Sequence, residues 1–166
     1  AFLPEEKTSL AAYRLALAQT SGEGRLSARL PTGIELSAVV PNLAQRDDLP
    51  ARGGALAVHL AGLGVENEVF PPEAAPKLVL PQSEEPQERA FVFVDRDAHA
   101  RILGPIVAWR EVVNFITGAR LWLLHVDCGA LTLPLIFPTA ALKVPPQTGT
   151  VYLGTAWLVA TLPQRG

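Results

Sequence analysis

An imidazole, a carboxylate and a thiol fall within four residues of this chain, at His125-Val126-Asp127-Cys128. These are the parts of a cysteine nucleophile with its base. The spacing works against that use. Side chains alternate along a strand, so His125 and Asp127 share one side while Cys128 points to the other. Asp127, two residues ahead of Gly129, reads as a turn former, and Cys128 as a small turn or core residue. A second group, Asp95, Asp97 and His99, would line one side of an extended chain. Two carboxylates and an imidazole can hold a divalent metal. The plainer account is a polar loop at a strand end, where aspartate bonds to nearby backbone. No second histidine cluster supports a metal centre.

Other chemical motifs fall short. Gly62-Leu63-Gly64 lacks the third glycine of a dinucleotide fingerprint, with Asn67 in its place. Glu84, Glu85 and Glu88 read as a solvated loop rather than a glycosidase pair. Trp109, Trp122 and Trp157 each sit inside an apolar run, which favours core or interface packing over stacking on sugars or bases. The residues therefore predict no enzyme and no cofactor.

The elements that must position these groups are mostly strands. The exception is the start. Pro4-Glu5-Glu6 precedes KTSLAAYRLALAQ, in which Leu10, Tyr13 and Leu17 lie close to one helical face. Residues 1–23 thus predict a helix, or else an arm that orders against a neighbouring subunit. From residue 24 the pattern changes. Residues 25–30 alternate apolar and polar, and a second strand spans 34–40. Residues 42–54 read as a loop. Residues 55–63 favour strand over helix, continued by 65–70, and Pro71-Pro72 begins a stiff connector. A short strand at 77–80, an acidic loop at 82–88 and a strand at 90–95 follow. A turn is expected at 96–101. Residues 102–116 read as strand, with helix as the alternative. Residues 120–138 form a hairpin about Asp127-Cys128-Gly129, apolar on both sides. A turn at Pro145-Pro146 precedes a last strand over 150–162. About eight to nine strands with proline and glycine punctuation predict an all-β fold. Residues 24–166 are expected to make one antiparallel barrel or sandwich, jelly-roll-like.

Composition narrows the partners. Charged residues make up 18% of the 166, low against the usual quarter, beside 49% hydrophobic residues. So few charges leave a surface that a neighbour can cover. The net charge is −2, and lysine and arginine form no stripe along the sequence, so nucleic acid is not an expected partner. The longest apolar stretch, 121–142, is broken by His125, Asp127, Gly129 and prolines, so no direct membrane insertion is expected. One cysteine, no methionine and 15 prolines lean towards a thermophilic source, a bias a GC-rich genome would partly share.

In the strand-and-proline rhythm over 25–162, the hairpin over 121–137 and the absence of methionine, the chain resembles the small single jelly-roll coat proteins of thermophilic bacterial viruses. The resemblance implies a capsid built of repeated copies, with the protein located in the virion as coat or as a decorating clamp. Self-association and contact with other coat subunits would then be its work. The expected interface residues are Phe2, Leu3, Leu10 and Tyr13, with the proline loops at Pro71-Pro72 and Pro145-Pro146. Two other readings stay open: a carbohydrate- or ligand-binding β-sandwich, and a metal-dependent cupin-like enzyme, for which a cytoplasmic location would serve.

Overall fold

A computed structural model describes residues 7–17, 23–41, 43, 50–74, 78–79, 86–87, 90–94, 98–129 and 131–162. The fold is all-β. The described residues form thirteen strands: β1 (Thr8–Leu10), β2 (Ala12–Leu17), β3 (Gly24–Arg29), β4 (Glu35–Val40), β5 (Arg52–Gly53), β6 (Leu56–Phe70), β7 (Leu78–Val79), β8 (Pro86–Gln87), β9 (Ala90–Val94), β10 (His99–Val113), β11 (Arg120–Asp127), β12 (Thr132–Pro138) and β13 (Val151–Thr161). The count exceeds the eight to nine expected, because short edge strands such as β1 and β5 are too brief to show a period. The chain packs as two compact units. One comprises Ala1–Ala61, Phe93–His99 and Trp157–Gly166, the other Gly62–Val92 and Ala100–Ala156.

In the first unit β5, β2, β3 and β4 pair antiparallel in that order. β1 pairs antiparallel with the start of β6, and β4 pairs parallel with the end of β13 through Val39 and Val159. The expected N-terminal helix is replaced by β1 and β2. The reason lies in the period. A helix would bury Leu17, but Leu17 is 51% exposed and Leu15 is 7% exposed. Tyr13 and Leu15 point inward while Arg14 and Ala16 point out, a period of two. Pairing with β3 fixes that register and overrides the helical propensity of the alanines and leucines. Leu26, Leu36, Ala38, Val40, Val58, Leu60 and Leu158 complete this core.

In the second unit β10, β11 and β12 form an antiparallel meander. β12 then pairs parallel with β6 through Leu135–Gly62 and Ile136–Leu63. With the β4–β13 pair this makes the pairing mixed, where an antiparallel fold was expected. Of residues 102–116, those up to Val113 form strand and not helix, while 114–116 belong to the turn that follows, and the strand runs unbroken through Gly104-Pro105. β6 is continuous over 15 residues. The acidic stretch expected as loop contributes β8, which pairs antiparallel with β7.

The core of the second unit is one face of the meander. Register sets Trp122 opposite Phe137, Leu124 opposite Leu135 and Val126 opposite Leu133. Leu124, Val126, Leu133, Leu135 and Phe137 are all buried, beside Ile102, Ile106 and Tyr152. Val151 and Leu153 pack against buried Leu103. The other face carries Leu121, Leu123, His125, Pro134 and Ile136, all half-buried. The hairpin is apolar on both sides, but the sides are sorted by cross-strand pairing. Leu121 and Leu123 therefore share a face with Ile136, not with Leu133, Leu135 and Phe137.

Candidate functional site

Asp127 and Cys128 take part in the hairpin turn. Asp127 Oδ1 accepts the Gly129 N–H at 2.9 Å, closing a turn in which Gly129 has a φ of 86°. The Cys128 N–H donates to the Leu131 carbonyl at 2.9 Å, and its thiol faces the Val126 carbonyl at 3.6 Å. Cys128 is buried. Burial, with the Asp127 charge adding to it, pushes the thiol up to about 12, against a smaller pull down from the Leu133 backbone. A thiol held neutral in this way is no nucleophile at ordinary pH. His125 lies on the half-buried face of the hairpin, opposite Pro134.

The metal candidates separate. Asp95 and Asp97 lie outside the described residues. His99 opens β10, and its ring packs against Trp157 with centroids 3.6 Å apart. Among the described residues no group of three or more His, Cys, Asp or Glu could hold a metal ion.

Within the second unit the buried Tyr152 carries a polar contact. Its hydroxyl donates to Asn67 Oδ1 at 2.5 Å, and the Glu66 carbonyl lies at 3.4 Å. Burial pushes its pKa well above the usual phenol range, and the neighbouring Cys128 adds to the rise. Gly154 makes room for this contact: a Cβ there would strike the Glu66 carbonyl and the Tyr152 hydroxyl. The ring stacks on Phe137 with centroids 6.1 Å apart. The arrangement locks β13 to β6 within this unit.

Trp109 and Trp122 do not form a flat sugar platform. Trp109 and Trp122 meet edge to face on the β10–β11 hairpin, centroids 5.7 Å apart and planes at 78°. One ring presents its edge to the face of the other, so they present no flat double surface. Trp157 belongs to the first unit.

The most exposed apolar side chains lie elsewhere, at the end of the β10–β11 hairpin. Phe115 is 99% exposed and Ile116 is 93% exposed. The loop that carries them is tightly bonded. Asn114 Oδ1 accepts the N–H groups of Ile116 at 2.9 Å and Thr117 at 3.3 Å. The Gly118 N–H donates to the Asn114 carbonyl, and the Asn114 N–H to the Ala119 carbonyl. Thr117 Oγ1 accepts the Ala119 N–H at 3.2 Å. Gly118 takes the left-handed conformation, φ 73°, that the turn requires. Below the tip, Val113, Trp109 and Val107 are also exposed, and Arg120 pairs with Glu111 at 3.2 Å. Sequence reading placed Phe115 and Ile116 at the end of a strand. The available signal was their bracketing by Asn114 and Thr117-Gly118, three good turn formers.

The expected interface residues divide. Leu10 and Tyr13 are buried in the core of the first unit. Pro71, Pro72 and Pro145 are exposed, whereas Pro146 is buried. Phe2 and Leu3 lie outside the described residues. Among the described residues no helix is long and apolar enough to cross a membrane.

Comparison with known proteins returned no match: no family model, no curated protein and no solved structure matches the chain.

Proposed function

We propose that the chain is a structural subunit that works by packing against copies of itself, without catalysis and without a cofactor. The observation that carries this reading is the hairpin tip. Burying a Phe or an Ile stabilises by roughly 1.5–3 kcal/mol each, so two such residues held wholly in water are an unused source of binding energy. The bonded turn beneath them removes much of the entropy that ordering a loose loop on contact would cost. An apolar knob on a fixed stem is suited to insertion into a neighbour. The polar parts that would serve a nucleophile are committed to a turn and to the core.

Within this class the reading is a viral coat or capsid-decorating protein of jelly-roll type, located in the virion and contacting other coat subunits. Its support is the resemblance in strand-and-proline rhythm, together with the exposed tip. The test is sedimentation velocity across concentration and salt, with electron microscopy of the concentrated protein. Dimers or larger assemblies are expected, and closed shells or regular arrays would favour the capsid reading. A monomer at every concentration and salt would overturn self-assembly.

A further inference from the structure

The outer face of β5, β2, β3 and β4 holds an arrangement that packing does not explain. Register places Arg52 opposite Arg14, Arg14 opposite Ser27, and Ser27 opposite Ser37. One row across four strands therefore reads Arg52, Arg14, Ser27, Ser37. The rows on either side add Arg25 and Arg29 to the same face, since β3 alternates. The inward face of these strands carries Tyr13, Leu15, Leu26, Ala28, Leu36 and Ala38.

The four arginines are not equally matched. Arg25 pairs with Glu23 at 2.9 Å, and Arg29 with Glu35 at 3.4 Å. Among the described residues neither Arg14 nor Arg52 has a carboxylate or a hydrogen-bond partner. Like charges directly opposite on neighbouring strands destabilise the pair. Two further groups are idle: Ser37 Oγ and Arg25 Nη1 are shielded from water and bonded to nothing. A pocket of about 670 Å³ opens here, bordered by Arg14, Ser27, Arg29, Glu35 and Ser37.

An oxyanion resolves the mismatch of Arg14 and Arg52. It supplies the missing counter-charge for two opposed guanidinium groups, whose forked donors match tetrahedral oxygens. It also accepts from the exposed Ser27 hydroxyl in the same row. We propose that this face is a binding site for a phosphate group, either free inorganic phosphate or the phosphoryl end of a small monoester. Arg14 and Arg52 carry the charge recognition, and the exposed Ser27 donates to the oxygens. Glu23 and Glu35 oppose an anion, and their pairing with Arg25 and Arg29 limits that opposition. The site is independent of the hairpin tip and of self-assembly.

The test uses the full chain at constant ionic strength, titrated with inorganic phosphate or with glycerol phosphate against chloride. Calorimetry follows binding and melting. Saturable binding with a rise in Tm is expected. Arg14→Gln and Arg52→Gln should each weaken binding about tenfold or more, a loss of about 1.4 kcal/mol. Arg14→Lys should fall between, and Arg101→Gln, an exposed arginine on β10, should leave binding unchanged. Without phosphate, Arg14→Gln should melt at or above the native temperature, because it removes repulsion, a gain that a merely structural arginine would not give. Tighter binding of the monoester identifies an organic phosphate as the ligand, and equal binding identifies the free ion. Phosphate also stabilises proteins generally by exclusion from their surface. A rise in Tm that does not saturate, or is the same in the native chain and in Arg14→Gln/Arg52→Gln, would therefore overturn the site.

Discussion

At Asn114 and at Asp127 a side-chain oxygen ends a strand of the second unit by accepting backbone N–H bonds, and a left-handed glycine follows each, Gly118 and Gly129. The two turns differ in what lies between. After Asp127 there is one residue, Cys128, which continues the inward alternation of Leu124 and Val126 and is buried. After Asn114 there are three. The extra residues carry Phe115 and Ile116 past the last paired rung, where alternation no longer assigns a side chain to a face. The same turn chemistry thus seals a core at one site and displays apolar surface at the other. Turn residues fix backbone shape, and loop length decides whether the contents are hidden.

The comparison breaks most sharply at the tip. Phe115→Ser with Ile116→Ser should weaken self-association by more than about 100-fold, the loss expected from two unburied apolar side chains. The melting temperature of the dilute protein should stay within a degree or two, since neither side chain packs inside the chain. Sedimentation and calorimetry check the two halves.

At Cys128 the expected signature is alkaline. The thiol titrates near 9.0 when unfolded and about 12 when folded. The unfolded chain therefore loses its proton first as pH rises. Stability from this group is whole below pH 9 and declines between pH 9 and 12, by about 1.4 kcal/mol per pH unit. Tyr152, raised by burial and by Cys128, adds to the loss above pH 10. Urea melts at pH 8 and pH 11 should show the decline, and Cys128→Ala should flatten it. Self-association at pH 8 should not change.

Tyr152→Phe is expected to cost about 1–3 kcal/mol, because Asn67 Oδ1 loses its donor where little water can replace it. Denaturant titration measures this. The smallest effect belongs to Asn114→Ala. It removes two turn bonds at an exposed site, costing about 1 kcal/mol or less in stability. A three- to tenfold loss of self-association is the readout that separates a prearranged tip from a loose one.

Much of this was legible from residue order. The strand class follows from alternation in β3 and β4, and the hairpin about Asp127 from its turn residues. The opposite placement of His125 and Cys128 also follows from period two. Three things did not. Leu10, Tyr13 and Leu15 fit a helical and an extended pattern almost equally, and only pairing with β3 and β6 decides between them. The parallel pairs of β12 with β6 and β13 with β4 join residues remote in sequence, which local pattern does not encode. The face opposite Arg14 depends on register across four strands, so Arg52 and Ser37 look like scattered polar residues until the sheet is assembled.

Val39 and Val159 pair although they stand ~120 residues apart, a separation that slows folding through loop-closure entropy. β4 cannot gain its parallel neighbour until the chain as far as Val159 has left the ribosome. Until then one edge of β4 is open to other strands, including those of sister chains being made nearby. An open edge of this kind makes yield depend on translation rate and chaperone supply as well as on the stability of the finished fold.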